Sequence, residues 1–217
     1  GGFGPAAWVN DTWTWDRSSW TEQRPAVSPS VRFGHAMVYD DARDSVVLFG
    51  GYGLAEQLDE TWTWRGSSWR QEMPSTSPPG RDDLALAYDP VRRVTVLFGG
   101  RLRGRQLAND TWTWDGASWT QASPAIVPPK RSYHAMAFDP SRGQIVMYGG
   151  KDGARSLKDT WTWDGVSWTE IAATVSPEPR SAHAMVFSPS LGRVVMFGGV
   201  GDAGERRDDT WAWDGTT

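Results

Sequence analysis

The feature that most constrains the fold is an internal repeat of about fifty residues. Glycine pairs recur at steps of 49, 50 and 49 residues, at Gly50-Gly51, Gly99-Gly100, Gly149-Gly150 and Gly198-Gly199. The dipeptide Thr-Trp recurs in the same phase, beginning at Thr12, Thr61, Thr111, Thr160 and Thr210. The length of the repeat varies only between the glycine pair and the next Thr-Trp. A sustained period of this size is typical of propellers and other repeat architectures.

Each repeat predicts four short strands. The first is an alternating stretch, as at 35–39, and the second is a continuous apolar run, as at 46–49, which suits a strand buried on both faces. The third is Thr-Trp-Thr-Trp, whose two Trp side chains share one face. The fourth becomes polar, as an outer edge strand should, and begins at Trp20, Trp69, Trp119 or Trp168. Four antiparallel strands per repeat predict the blades of a propeller.

The tryptophan content follows from the same repeat. The chain has 15 Trp, and only Trp8 lies outside the third- and fourth-strand positions. One blade cannot bury a Trp-bearing face alone, so each blade must stack on a neighbour. Full burial of one Trp contributes roughly 4–6 kcal/mol by area, as an upper bound. We therefore interpret these residues as packing between blades, and not as a platform for a ligand.

These motifs resemble the kelch repeat. The glycine pair after the second strand, the spaced aromatic residues of the third and the Trp that opens the fourth all match, as does the link that ends in Arg131 with His134 three residues later. The Trp-Thr-Trp-Asp-Gly-x-Ser-Trp pattern is similar to bacterial kelch-containing proteins. The resemblance implies an all-β, kelch-type β-propeller of four-stranded antiparallel blades, in one domain over residues 1–217. Its repeat units would be 1–23 (partial), 31–72, 80–122, 130–171 and 180–217 (partial), about four and a half in all.

The resemblance allows both binding and catalysis, because kelch propellers host interaction modules and a few enzymes. Galactose oxidase is one such enzyme, and its copper site needs a Tyr–Cys crosslink, whereas this chain has no Cys. Sialic-acid epimerases also resemble kelch propellers. Because no acid–base cluster stands out from the repeated positions, we expect a non-enzymatic interaction module without a cofactor. The alternatives are a sugar-acting enzyme similar to those epimerases, with its site at the central pocket, and a purely structural part of a longer protein.

Four arginines at equivalent positions are the first candidates for ligand contact: Arg32, Arg81, Arg131 and Arg180. Antiparallel strand order places them on the same face as the glycine pairs and the variable loops. The resemblance implies that residues at this position line the central pocket in kelch binding proteins. The alternative is that each Arg pairs with the Asp of a neighbouring blade or with a carbonyl. Its repetition in every blade slightly favours this alternative.

The residues beside these arginines differ between repeats, as a ligand site on a repetitive scaffold requires. We predict ligand contacts at Phe33, Asp82, Asp83 and Tyr133 as well as at the four arginines. The variable loops carry further charged candidates, since loops on a rigid scaffold concentrate function. One loop is basic, with Arg101, Arg103 and Arg105, and another carries Glu56, Asp59 and Glu60.

Two repeated polar positions resemble metal ligands, but neither is predicted to bind a metal. The equivalent His35, His134 and His183 are replaced by Leu84 in one repeat, which favours a packed strand start. One carboxylate per blade lacks the loop ligands of a calcium site, so a cap on the turn backbone is the preferred interpretation. These carboxylates precede each Thr-Trp, at Asp11, Glu60, Asp110, Asp159 and Asp209.

The predicted partner is a protein segment or a glycan on the arginine-bearing face. A net charge of −4 gives no reason to expect nucleic acid or a membrane surface, and no apolar run approaches transmembrane length. The absence of Cys and the similarity to bacterial secreted repeats favour an extracellular or periplasmic location.

The strand count predicts a partial ring. First, second and fourth strands number four each and third strands number five, so both terminal repeats cut through blades. In a sealed ring, residues 12–15 and 210–213 would compete for one position. An open arc would instead expose Trp-rich faces at both ends, which favours self-association. We therefore predict either part of a longer ring or a ring completed by a second copy.

Overall fold

A computed structural model describes residues 1–3 and 8–216. The described chain contains no α-helix, and its one helical turn is a 3₁₀ turn at Arg103–Arg105. The N-terminal strands form two separate hairpins. Their bounds are β1 (Gly2–Phe3), β2 (Trp8–Val9), β3 (Thr12–Trp15) and β4 (Trp20–Gln23).

Four larger antiparallel sheets follow, which we name blades 1 to 4. Blade 1 consists of β5 (Ala36–Asp40), β6 (Ser45–Phe49), β7 (Thr61–Arg65) and β8 (Ser68–Glu72). The next strands are β9 (Arg81–Asp82), β10 (Ala85–Asp89), β11 (Val94–Phe98), β12 (Arg101–Leu102), β13 (Thr111–Trp114) and β14 (Trp119–Ala122). Of these, β10, β11, β13 and β14 form blade 2, and β9 pairs with β12. Blade 3 is β15 (Ala135–Asp139), β16 (Gln144–Tyr148), β17 (Thr160–Trp163) and β18 (Trp168–Ile171), and blade 4 is β19 (Ala184–Ser188), β20 (Arg193–Phe197) and β21 (Thr210–Trp213).

The four sheets are arranged as a β-propeller, which confirms the predicted fold class. Each blade is a meander in which every strand pairs with the next one in the sheet. The first strands of successive blades lie side by side, β5 beside β10, β10 beside β15 and β15 beside β19, so they form the inner layer. This order places the residue before each first strand and the residue after each glycine pair on one face, near the axis.

The tryptophans that open the fourth strands join blades 2 and 3 each to the blade before it. The indole Nε1 of Trp119 in blade 2 donates to Thr61 Oγ1 of blade 1 at 2.9 Å, and its ring lies 5.3 Å from that of Phe49. Trp168 of blade 3 repeats both contacts on blade 2, with Thr111 at 2.9 Å and Phe98 at 5.0 Å. Packing between blades was the predicted role of these residues, and it is confirmed.

Arginines join neighbouring blades on the face opposite the glycine pairs. Arg43, in the turn between β5 and β6, binds Asp40 Oδ2 at 2.8 Å and lies against the blade 2 turn that contains Gly116. Gly116 has a φ of 98°, a backbone conformation that favours glycine, and a Cβ there would also displace the end of the Arg43 side chain. The pairs Arg92 with Gly165 and Arg142 with Gly215 repeat the arrangement.

Both ends of the array expose surfaces that are covered inside it. Trp20 is 63% exposed, whereas the equivalent Trp69 is 8% exposed. At the other end, Phe197 is 54% exposed, whereas the equivalent Phe98 is fully buried. The hairpin of β3 and β4 supplies only outer strands, and blade 4 has three strands among the described residues. These exposed ends agree with the predicted partial ring.

Candidate functional site

The four equivalent arginines are buried centres of ion pairs. Arg131 donates from Nε to Pro129 O at 3.0 Å and from Nη1 to Gly149 O at 2.9 Å. Its Nη1 and Nη2 also donate to the two carboxylate oxygens of Asp159, at 2.8 and 2.6 Å. The other three form the same kind of centre, Arg32 with Glu60, Arg81 with Asp110 and Arg180 with Asp209.

The predicted pairing of each arginine with a carbonyl is confirmed, but two other details of the sequence interpretation are wrong. The acidic partner belongs to the arginine's own blade, not to a neighbouring one, because the third strand begins on the same face beside the end of the second. The acidic residue also does not cap a turn, since its carboxylate oxygens accept from the arginine and from an indole. Asp110, for example, accepts from Arg81 and from Trp112 Nε1 at 2.7 Å. Burial would raise the pKa of Asp110, but the hydrogen bonds and charge of Arg81 together with the indole lower it.

The residue after each arginine pairs with the residue after the glycine pair, and we call these four pairs the inner rim. Backbone pairing joins Phe33 to Tyr52, Asp82 to Arg101, Ser132 to Lys151 and Ser181 to Val200. The rim side chains are therefore aromatic at blade 1 and charged at blade 2. At blades 3 and 4 they are small, apart from the basic Lys151. The scaffold repeats, but the side chains on this rim do not.

The next residue of each repeat links the blades around the axis. Gly34, Asp83, Tyr133 and Ala182 all have a positive φ, between 54° and 64°. The backbone N–H of Asp83 donates to Gly34 O at 2.7 Å, that of Tyr133 to Asp83 O at 2.9 Å, and that of Ala182 to Tyr133 O at 2.8 Å. Three of these four are not glycine, so the sequence carried no signal for the left-handed backbone. Such strain persists where surrounding contacts over-determine it.

A charged cluster brings four of the predicted site residues together. Arg101 forms ion pairs with the buried Asp82 and, at 3.1 Å, with Asp83. Burial raises the pKa of Asp83 to about 6, although hydrogen bonding from Tyr133 opposes the shift. Burial and the hydrogen bond to Asp83 raise the pKa of Tyr133 to about 12. The cluster is a unique polar set on a repeated scaffold.

A cavity of about 800 Å³ lies beside this cluster, between blades 1 and 2. One wall is the aromatic pair Phe33 and Tyr52, whose ring centroids lie 5.5 Å apart. Trp8 packs edge-on against Phe33 at 5.1 Å. The opposite wall and the rim carry Gln57, Arg101, Arg103 and Arg105.

Three residues were not predicted from the sequence: Tyr52 and Gln57, which line the cavity, and Trp8, which packs against the aromatic pair. The sequence marks Trp8 as unusual, because it is the one Trp outside the repeated positions. The sequence marks Tyr52 less clearly, as the residue that follows a glycine pair. The structure thus brings Phe33 and the basic loop together, and it buries Arg32, Arg81, Arg131 and Arg180 beneath the face.

A comparison with protein families agrees with this architecture. A family model described as the KLHDC2/KLHL20/DRC7 Kelch-repeats domain matches residues 64–217, more than two thirds of the chain. The chain belongs to the kelch-repeat family. Kelch propellers generally mediate protein interactions. No curated protein sequence matches this kelch chain.

Within residues 1–3 and 8–216, no group of three or more acidic or histidine side chains is close enough to hold a metal ion. The same part of this kelch propeller has no helix long and apolar enough to cross a membrane.

The three equivalent histidines of the kelch repeats pack at the inner layer. His134 lies edge-on to Phe98 with ring centroids 5.6 Å apart, and His183 lies in the same way against Tyr148 at 5.7 Å. Burial lowers the pKa of His134 well below its ordinary value, and the charge of Arg131 adds to this shift. Burial lowers the pKa of His35 and of His183 to about 4. The imidazoles are therefore neutral in the folded chain near pH 7.

Because these histidines are buried and neutral, we expect the free energy of unfolding to fall in mild acid. Below pH 6.5 the unfolded chain takes up protons that the buried imidazoles do not, so the free energy of unfolding falls with pH. We expect His134 alone to lower the free energy of unfolding by about 2 kcal/mol between pH 7 and pH 5. Urea unfolding of the wild type and of His134→Leu at both pH values measures this effect.

The variant places leucine where blade 2 already has Leu84, so it suits the strand start. Asp83 acts in the opposite direction, since its raised pKa favours the folded state as the pH falls through 6. Both proteins share this contribution, so the difference between them isolates His134. An equal loss of stability in the two proteins would contradict the prediction.

Proposed function

We propose that this kelch propeller is a non-enzymatic interaction module that binds an extended protein segment over the inner rim of blades 1 and 2. The observation that carries the proposal is the cavity of about 800 Å³ between the Phe33–Tyr52 pair and the loop of Arg101, Arg103 and Arg105. Non-repeated side chains surround it, on a face that is otherwise built from repeated contacts. Concave sites with an apolar wall and a few polar groups are typical of ligand binding.

The two walls favour different parts of such a segment. The half-buried rings of Phe33 and Tyr52 present an apolar surface for an aromatic or aliphatic side chain. The opposite wall has free hydrogen-bonding capacity for a main chain, because Arg105 forms no ion pair within the described part of the chain. Arg103 pairs with Glu56, but both side chains are exposed, so a ligand can exchange for that partner.

The buried arginines have a supporting role in this proposal. Arg81 holds the glycine pair of blade 2 through Gly99 O at 2.9 Å, two residues before the rim residue Arg101. Arg32 does the same for blade 1 through Gly50 O at 3.1 Å, two residues before Tyr52. These arginines position the rim, and the residues beside them contact the ligand.

A peptide and glycan array tests the proposal. We expect the wild-type chain to bind peptides that contain an aromatic or aliphatic residue, and the double variant Phe33→Ala/Tyr52→Ala to bind them about tenfold or more weakly, because aromatic anchors dominate such interfaces. Val91→Ala is the matched control, since Val91 is exposed on the opposite face. Peptide binding that the double variant retains would contradict the proposed site. Selective binding of glycans would replace the protein segment with a sugar stacked on the aromatic pair.

A sugar-acting enzyme is the second candidate, and one observation favours it. With its pKa raised to about 6, Asp83 is suited to transfer protons near neutral pH. Asp83 is buried beneath Arg101, however, and Asp82 beside it is fully buried. Turnover of a sugar by the wild type, and its loss in Asp83→Asn, would favour this candidate over binding alone.

Two further expectations also stand as proposals. The exposed surfaces at Trp20 and Phe197 would allow copies of the chain to associate end to end, and sedimentation at rising protein concentration measures this association. An extracellular or periplasmic location is a proposal that fractionation of the source cells tests.

A further inference from the structure

A second cleft lies on the face opposite the inner rim. A cavity of about 590 Å³ separates the outer strands of blade 1 from the turn between β13 and β14 of blade 2. Three arginines line it: Arg43 from the turn between β5 and β6, Arg65 from the end of β7 and Arg70 from β8. Thr63, Ser68 and Glu72 lie between them. We call this cavity the arginine cleft.

Two of these arginines replace residues that the other repeats share. Where blade 1 has Arg65, the equivalent residue is aspartate in the other four repeats, at Asp16, Asp115, Asp164 and Asp214. Where blade 1 has Arg70, the equivalent residue is threonine in the other three, at Thr21, Thr120 and Thr169. Both replacements occur in one repeat, and both side chains line one cavity.

The change at Arg65 removes a stabilising contact. Asp115 Oδ1 accepts from the backbone N–H groups of Ala117 and Ser118, both at 2.8 Å, and so caps its hairpin turn. An arginine cannot accept these bonds, and the turn of blade 1 differs accordingly, with Gly66 at a φ of 62° instead of 98° at Gly116. A local rule that is broken at a single repeat points to function, because the one hydrogen bond that Arg65 makes replaces the two that cap the turn of blade 2.

The cleft has positive charge that the chain does not balance. Arg43 is bound to Asp40 and to backbone carbonyls. Arg70 Nε lies 3.6 Å from Glu72, which also accepts from Thr63 Oγ1 at 2.7 Å. Arg65 donates to the Arg43 carbonyl at 2.5 Å and has no acidic partner among the described residues. The chain as a whole has a net charge of −4, so the cleft is a local exception.

We propose that the arginine cleft binds carboxylate side chains of an acidic segment in a partner protein. A planar guanidinium suits the two oxygens of a carboxylate, and Arg65 and Arg70 offer two such groups from adjacent strands. Ser68 supplies a hydroxyl, and the exposed Met73 supplies an apolar edge. The equivalent space between blades 2 and 3 carries Asp115 and Thr120 at these two positions, so it lacks the charge. The cleft is thus a single site on a repeated scaffold, separate from the inner rim.

The test uses a fluorescent hexaglutamate peptide as the probe, with hexaglutamine as the neutral control peptide. We expect the wild-type chain to bind hexaglutamate, more weakly as salt is added, and to bind hexaglutamine at least about tenfold more weakly, since charge-assisted hydrogen bonds hold only the acidic peptide. The double variant Arg65→Asp/Arg70→Thr installs the residues of the other repeats. It is expected to fold, because Asp at position 65 can cap the turn, and to lose about tenfold or more in affinity for hexaglutamate.

The matched control is Arg24→Thr/Arg155→Asp, which changes the net charge equally at two exposed sites outside the cleft. It should bind hexaglutamate with nearly the wild-type affinity. A second variant, Arg65→Gln/Arg70→Gln, removes the charge without adding an acid and should also lose the binding.

Three results would overturn the proposal. These are equal binding of the two peptides, wild-type affinity in a folded cleft variant, or an equal loss in the matched control. The variant Phe33→Ala/Tyr52→Ala should leave hexaglutamate binding intact, so a failure of the inner rim and a failure of the cleft are separable.

Discussion

Trp119→Ala is expected to lower the free energy of unfolding by about 3–5 kcal/mol, as for other large-to-small changes in a packed core. The indole is buried between blades 1 and 2, against Phe49 and with its N–H bonded to Thr61 Oγ1. Alanine would leave a cavity in this interface and remove the hydrogen bond. Urea unfolding followed by circular dichroism measures the change.

Trp20→Ala is the matched control, because Trp20 opens the equivalent strand of the N-terminal hairpin but is mostly exposed. Its main ring contact is with Trp15, at 5.5 Å within the same hairpin. We expect a loss below about 1 kcal/mol, as for most surface substitutions. Comparable losses for the two variants would mean that the stacking of blades does not stabilise the chain as the structure implies.

Arg131→Ala is expected to cost about 3–5 kcal/mol, the range for breaking a buried ion pair by removing one partner. The change leaves Asp159 without its cation and Gly149 O and Pro129 O without their donor. Arg131 joins the start of the first strand to the end of the second and the start of the third. Alanine removes all of these connections at once. Thermal and urea unfolding at pH 7 measure the loss.

Arg131→Lys should recover only part of this stability, because an ammonium group cannot reach all the acceptors that the guanidinium fork contacts. Arg105→Ala, on the exposed loop of the same face, should be almost neutral. A variant Arg131→Ala that retains wild-type stability yet loses ligand binding would show that the arginine contacts the ligand directly. That result would support the original prediction that the four arginines contact the ligand.

The stability predictions and the binding predictions concern different layers of the same blade. The repeated residues stabilise the scaffold: Arg131 and Asp159 join the strands of one blade, and the buried Trp168 joins that blade to the one before it. The residues that vary between repeats, such as Phe33, Tyr52 and Arg65, line cavities. A variant that affects one layer should therefore leave the other largely intact, which makes the effects separable by experiment.

Sequence periodicity was sufficient to predict the fold, because each structural requirement recurs in every repeat. The glycine pair, the Thr-Trp-Thr-Trp strand and the Trp that opens the fourth strand each satisfy a local need, and four or five copies make the pattern unambiguous. The exposed ends also followed from counting strands. The partner of each arginine did not, because the strand order within one blade brings Asp159 to Arg131 across 28 residues of chain.

The sequence by itself determined the blade, its strands and the residues that repeat, since period and alternation depend on near neighbours in the chain. Only the tertiary structure decided which non-repeated side chains meet, because these contacts cross from one blade to the next. Phe33 and Arg105 line one cavity although 72 residues separate them, and Arg43 reaches the turn at Gly116 in the next blade. The left-handed backbone at Asp83 and Tyr133, which links the blades near the axis, likewise depends on the packed ring and not on local residue preference.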